Sequence, residues 1–176
     1  MDQLGFIIDR RSIRRFKDQK IDPEIITQLL TAAMYAPSAV NKQPWHFVVI
    51  DQRQMLNEIM KIHPYAGMLK TASIGIVVCG DERLQHDDGY WVVDCGAATQ
   101  NLLLAAHMLG LGSCWVGLHP REGRKASFSS LLDLPSHVKP FALIALGYPD
   151  EIKPRPERFH PEKVRYNGWN QLYFQN

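Results

Sequence analysis

Residues 91–109 constrain this chain more than any other stretch. Trp91, Val92, Val93, Ala97, Ala98, Leu102, Leu103, Leu104, Ala105, Ala106, Met108 and Leu109 occupy nearly every side of a helical wheel. A helix that is apolar all round has to be covered all round. The pattern therefore predicts a central helix buried inside the fold or between two subunits. Asp94, Asn101 and His107 on it read as satisfied core or interface polars, because buried polar groups are normally hydrogen-bonded.

Short apolar runs supply the cover. Residues 46–50 (HFVVI), 74–79 (IGIVVC) and 141–146 (FALIAL) read as buried strands. Gly110 ends the central helix, and the glycines of the next stretch, up to Gly117, read as places where a ligand approaches the backbone. Further helices are predicted over 4–8, from Pro23 to just before Pro37, and over 54–62 and 120–132. Asp22 is the expected cap of the second, with Pro23 in its first turn. Gly80-Asp81 reads as a turn. After Gly147-Tyr148-Pro149 the periodicity stops, and Pro154, Pro156 and Pro161 predict an extended arm over about 150–176. Its Tyr166, Trp169, Tyr173 and Phe174 call for a partner surface, the alternative being a disordered tail. A length of 176 residues suits one domain over 1–176, with a real core.

Four arginines flank one serine in Arg10-Arg11-Ser12-Ile13-Arg14-Arg15. The net charge of the chain is only +2, so this basicity is local and a general nucleic-acid binder is excluded. Arginine suits phosphate, because its planar fork donates two bonds and keeps its charge. The alternative is a solvated basic helix end. A second polar stretch, with Pro37, Ser38, Asn41 and Gln43, leads into the strand at 46–50. It reads as a binding loop or as a proline-punctuated connector. No apolar run suggests a signal peptide or a membrane span. Cys79, Cys95 and Cys114 form no CxxC and no metal-ligand spacing, so reduced thiols in a cytoplasmic protein without a metal site are expected. There is no GxGxxG, so a Rossmann dinucleotide site has no support.

Taken in order, these stretches resemble the flavin-dependent nitroreductase family. The match is carried by Arg10-Arg11-Ser12-Ile13-Arg14, by Ala36-Pro37-Ser38 with Asn41-Lys42-Gln43-Pro44-Trp45, by Gly110 to Gly117, and by Gly147-Tyr148-Pro149 with Arg158-Phe159. It covers nearly the whole chain. The resemblance implies an α+β fold, with a mainly antiparallel central sheet flanked by helices, built as an intertwined homodimer. It implies FMN at the subunit interface, contacted by both subunits, and NADH or NADPH as electron donor. Hydride would pass through flavin N5 to nitroaromatic, quinone or similar acceptors by a ping-pong route.

Carried over by position, Arg10, Arg11 and Ser12 resemble the contacts to the FMN phosphate and ribityl chain. Arg14 resembles the basic residue beside the flavin pyrimidine ring. Pro37, Ser38, Asn41 and Gln43 resemble the loop that reaches the flavin of the other subunit. Trp115, Val116 and Gly117 resemble the strand whose backbone faces the ring, with Met68 packed nearby. Arg158 is the expected phosphate contact from the arm, with Arg155, Lys163 and Arg165 as substitutes. The flavin carries the chemistry, so no catalytic side chain is assigned. His46, His63, His86 and His107 are proton donors by type only, and Cys114 reads as a small core residue. Reductive dehalogenation, flavin fragmentation and non-enzymatic FMN storage or sensing are the alternatives that the same fold allows.

Overall fold

In the computed structural model, which describes residues 4–174, four strands make one sheet. They are β1 (Trp45–Ile50), β2 (Ile74–Asp81), β3 (Gly112–Gly117) and β4 (Val138–Gly147). Their order is β1-β2-β4-β3, and each neighbouring pair is antiparallel. Successive side chains of a strand point to opposite faces, and that alternation gives the sheet two cores. Ile74, Ile76 and Val78 of β2, with Ala142, Ile144 and Leu146 of β4, face helices α2 (Pro23–Met34) and α4 (Tyr90–Met108). Val77, Cys79, Leu143 and Ala145 face α3 (Arg53–Ile62) and α5 (Glu122–Leu131). With both faces covered, β2 is buried along its whole length. That is why its sequence is a continuous apolar run and not an alternating one. The α+β class and the antiparallel sheet are as expected.

The helix expected over 91–109 is α4; Asp94 and Asn101 on it each make a bond inside the protomer, but Asp94 Oδ2 is buried without a hydrogen-bond partner among the described residues. Asp94 Oδ1 accepts the Ala39 N–H at 3.0 Å, and Asn101 Nδ2 donates to the Ala32 carbonyl at 3.1 Å. One side of the helix stays uncovered: Val93 is 68% and Met108 67% exposed. The three cysteines are free and buried. Burial pushes the Cys79 thiol up to about 12, and it raises Cys95 and Cys114 as well. These are inert core thiols.

Several local expectations are corrected. Gly80 and Asp81 continue β2 where a turn was expected. Asp81 N–H bonds to the Pro44 carbonyl at 2.8 Å. The Trp91 ring covers Gly80 so closely that a Cβ there would lie 2.4 Å from Cε3. Asp22 stands at the N-cap of α2 without a side-chain capping bond, and Pro23 takes the first turn. The arginine run is not a helix end, because α1 (Gly5–Ile8) stops before it. Residues 10–16 pair first with Ser113 of β3 and then with the residues that follow β4, Phe16 opposite Pro149. Ile13 N–H bonds to the Ser113 carbonyl at 2.9 Å, and Asp150 N–H to the Arg15 carbonyl at 2.9 Å. Ile13 and Phe16 drop into the core against Gly112 and Gly147, where an added Cβ would lie 2.8 Å and 3.0 Å from them. Gly112 therefore admits the chain's own Ile13, not a ligand. In the arm, a short 3-10 turn (Pro161–Lys163) and an isolated bridge between Arg165 and Leu172 follow an irregular stretch. Among the described residues no helix is long and apolar enough to cross a membrane.

Asp81 ties the ends of three strands together. Arg83 Nε and Nη2 donate to its two oxygens at 3.1 and 2.8 Å. His46 Nε2 of β1 and His137 Nε2, just before β4, lie 3.9 and 3.8 Å from Oδ2. The bonds from Arg83 lead in holding the buried carboxyl down at about 2. Its folded pKa is thus below its unfolded value of about 3.9. The stability it contributes is complete above pH 4 and is lost as pH falls from 4 towards 2. Denaturant midpoints measured across that window should fall more steeply for the native chain than for Asp81→Asn. Parallel slopes would refute the linkage.

Candidate functional site

The run of residues 10–16 contributes to two cavities. Arg14 and Arg15 line a slot of about 760 Å³. Trp115, Val116 and Gly117 of β3 line it, together with Met68 of the 3-10 turn Gly67–Lys70. Trp115 is 37% exposed and stands edge-on to Phe141, with ring centroids 5.5 Å apart. A Cβ on Gly117 would meet nothing nearer than the His119 carbonyl at 3.9 Å, so the backbone there lies open. Arg14 lines the slot, as do Arg15, Lys70, Arg121 and Arg124. The structure thus brings Arg14, Trp115, Val116, Gly117 and Met68 together, as the sequence suggested.

His63 and Arg124 converge on the open end of β3, and sequence reasoning gave neither a role there. His63 follows α3 directly and is buried. Its Nδ1 accepts the Tyr65 N–H at 3.2 Å, so Nε2 carries the proton and donates to the Gly117 carbonyl at 3.3 Å. Arg124 Nη1 donates to the same carbonyl at 3.3 Å, and its guanidinium lies 5.4 Å from the centre of the Tyr65 ring. Burial, then the charge of Arg124, lowers the His63 pKa against the opposing bond to Gly117. His63 therefore works as a neutral clamp on the strand end. Of the four histidines considered from sequence, only His63 lines the slot. His119, not among them, lines it too, and its Nδ1 is buried without a hydrogen-bond partner among the described residues. The signal for His63 was the break at Pro64 after an amphipathic helix. Arg124 left no local signal.

The second cavity, of about 650 Å³, is lined by Arg10, Arg11, Arg155 and Arg158, beside Ile7, Ile8 and Phe159. Arg10 is half-buried. Burial lowers its pKa first, and the charges of Arg11 and Arg158 lower it further. Clustered guanidiniums of this kind favour an anion between them. Arg11 is turned away from that role. Its three nitrogens bond to the carbonyls of Pro154, Arg10 and Ile8 at 3.1, 2.6 and 2.5 Å, which fixes the arm to the end of α1. Arg155 pairs with Asp9 at 2.6 and 2.8 Å. The Ser12 carbonyl accepts from Lys153 Nζ at 2.7 Å. Arg165 lies over the Trp169 ring at 5.1 Å, and Lys163 belongs to the 3-10 turn of the arm; neither lines this cavity.

Pro37, Ser38, Asn41 and Gln43 line neither cavity. Their loop is ordered by its own bonds: Gln43 N–H to Ser38 Oγ at 2.9 Å, and Gln43 Nε2 to Asn41 Oδ1 at 2.8 Å. Val40, Asn41 and Gln43 have φ of 50°, 55° and 49°. A left-handed non-glycine residue costs about 1–3 kcal/mol and persists where the surroundings enforce it, most often at functional sites. Val40 is β-branched, which makes the left-handed conformation still less favourable.

The antiparallel α+β sheet thus carries at its β3 edge an apolar slot lined by cations, with an arginine cavity as the second. The chain belongs to the Nitroreductase family, whose sequence profile matches residues 7–69 and 61–148. A protein of Methanothermobacter thermautotrophicus with the provisional name NADH dehydrogenase/NAD(P)H nitroreductase is 46% identical over 169 residues, covering 96% of this chain and 88% of that one. A crystal structure from Parabacteroides distasonis under the same provisional name superposes with a TM-score of 0.90 at 37% identity, covering 94% of this chain and 98% of the other. The structure of an FMN-dependent nitroreductase from Clostridium difficile R20291 gives 0.88 at 31% identity, with 95% and 100% covered.

Proposed function

We propose that two copies of this chain hold FMN between them and act as an NAD(P)H oxidoreductase, reducing nitroaromatic, quinone or similar acceptors by a ping-pong route. The whole chain then works as one FMN-binding domain whose arm lies against the partner. One observation carries the reading: an apolar slot and a cationic cavity are lined by the same segment, the first by Arg14 and the second by Arg10.

The donor set suits FMN. Trp115, Val116 and Met68 give a flat ring an apolar bed, and Arg10 with Arg158 offers charged donors to a phosphate. Gly117 leaves its backbone open where a ring would lie. When bound, FMN supplies the redox chemistry by accepting and giving hydride. The chain's own residues bind and orient. Arg14 sets a positive charge at the ring, His63 and Arg124 hold the end of β3 in place, and the aromatic walls exclude water. Dimerisation is supported by what one protomer leaves unfinished. Phe6, Ile7, Ile8, Met34, Tyr35, Val93 and Met108 are exposed apolar side chains. The strained loop with Ser38 and Asn41 is preformed yet takes no part in the protomer's own slot.

The test is an absorbance spectrum of the purified protein, followed by anaerobic titration with NADH and NADPH. A flavin band that bleaches with either nucleotide and returns on adding a nitroaromatic or quinone is expected. A bound flavin that neither nucleotide bleaches would favour storage or sensing. Altered flavin, or halide released from a halogenated substrate, would favour the dehalogenase or flavin-fragmenting alternatives. Protein that takes up no FMN would end the proposal.

A further inference from the structure

The rim of the slot holds more charge than a flavin ring needs. Arg14, Arg15, Lys70, Arg121 and Arg124 line it, and no carboxylate does. The chain as a whole carries 20 Lys and Arg against 18 Asp and Glu. With five cations gathered here, carboxylates outnumber cations over the rest of the molecule. Arg14 belongs to the cofactor in the reading above, and Arg124 is fixed on the Gly117 carbonyl. Arg15, Lys70 and Arg121 remain. All three are exposed, and none has a side-chain hydrogen bond or ion pair among the described residues.

They also reach the slot from three unconnected places. Arg15 comes from the extended run beside β3, Lys70 from the end of the 3-10 turn, and Arg121 from the N-cap of α5. One basic helix face would be an ordinary solvated surface. Convergence from three elements on one apolar slot is not. Arg121 moreover breaks a local rule. The N-cap favours Ser, Thr, Asp or Asn, and the positive end of the helix dipole disfavours a cation. Residues that defy local preference concentrate where function needs them. Clefts lined by one sign of charge raise the local concentration and association rate of the opposite sign.

We infer that this slot selects a substrate carrying a phosphate or carboxylate. The inference rests on the flavoenzyme reading and names its substrate class. Two sources share that chemistry: the 2′-phosphate that distinguishes NADPH from NADH, and an acidic group on the electron acceptor. Arg15, Lys70 and Arg121 act as specificity-determining residues, and flavin performs the chemistry whichever source applies.

The experiment uses FMN-loaded protein and matched pairs of substrates. In the acceptor arm, kcat/KM is measured for 4-nitrobenzoate and for the uncharged 4-nitrobenzamide. In the donor arm it is measured for NADPH and NADH. Both arms are run at low and at high salt, on the native chain, Arg121→Gln, Lys70→Gln and the double variant. The readout is the ratio within each pair, so a general change in activity cancels. The anion is expected to be preferred about tenfold or more at low salt in at least one arm. Salt should shrink that preference, because it screens exposed charge, and the double variant should bring the ratio close to one. A preference in the acceptor arm identifies the acceptor as the anion, and one in the donor arm identifies the 2′-phosphate. Ratios near one in both arms, or a preference that salt and the double variant leave intact, would overturn the inference while the flavoenzyme reading stood. Protein with no bound flavin, or with no turnover of any pair, would overturn both.

Discussion

Arg10→Ala should weaken FMN binding by about 1.5–3 kcal/mol, roughly ten- to a hundredfold in Kd, as expected for a charged hydrogen bond lost to a phosphate. Flavin fluorescence titration of the apoprotein measures it. The fold should be unaffected, because the Arg10 side chain makes no hydrogen bond or ion pair with the described residues and its charge is already crowded by Arg11 and Arg158. Its removal relieves repulsion in the empty cavity and removes attraction in the filled one. Ser12 lines neither cavity, so Ser12→Ala should leave the Kd nearly unchanged. Arg11→Ala provides the contrast. It leaves the carbonyls of Ile8, Arg10 and Pro154 without their guanidinium donor. It should therefore lower the denaturant midpoint and loosen the arm. If Arg10→Ala and Arg11→Ala shift affinity and stability alike, the division of labour drawn here is wrong.

Phe128→Ala should lower folding stability by about 3–5 kcal/mol, the usual range for removing a large buried aromatic. Domains of this kind have only about 5–15 kcal/mol in total. Phe128 is fully buried and is the largest of the completely buried side chains. It belongs to the core between the sheet and α3 and α5, and its ring stands edge-on to His63 with centroids 6.2 Å apart. A cavity there removes one wall of the clamp that holds the Gly117 carbonyl, so the slot should loosen along with the core. Urea unfolding gives the first effect as a lower midpoint at unchanged slope. Hydrogen exchange at Tyr65, whose N–H is held by His63 Nδ1, gives the second. A stability loss below about 1 kcal/mol would mean that the site repacks around the gap, against the burial seen here.

The parts of this fold that could be read from the sequence are those whose physical cause is local. β2 is a continuous apolar run because both faces of the sheet are covered, and α4 is apolar on the sides that the sheet and α2 cover, while Val93 and Met108 carry the apolar pattern onto its uncovered side. The slot's Arg14, Trp115 and Gly117 were legible through the order of motifs along the chain. The conformation of residues 10–16 was not. Its basic run has no period of its own, and its extended shape is imposed by Ser113, Tyr148 and Asp150, far along the chain. His63 and Gly117 meet across 54 positions for the same reason. The loop after Pro37 hid its strain, since Val40, Asn41 and Gln43 take a left-handed backbone without a glycine to mark it.

Translation makes this chain in an order that the sheet does not follow. β4 lies between β2 and β3 yet is synthesised last of the four. Until residue 147 has emerged, β2 and β3 lack the strand that joins them. The arginine run is made long before its partners: Arg14 N–H and the Ser12 carbonyl find Glu151 and Lys153 only 137 and 141 positions later. A nascent chain therefore displays an unanchored basic segment and an open strand edge through most of its synthesis. The cavity that Arg10 shares with Arg158 and Phe159 is therefore complete only once residue 159 has been made.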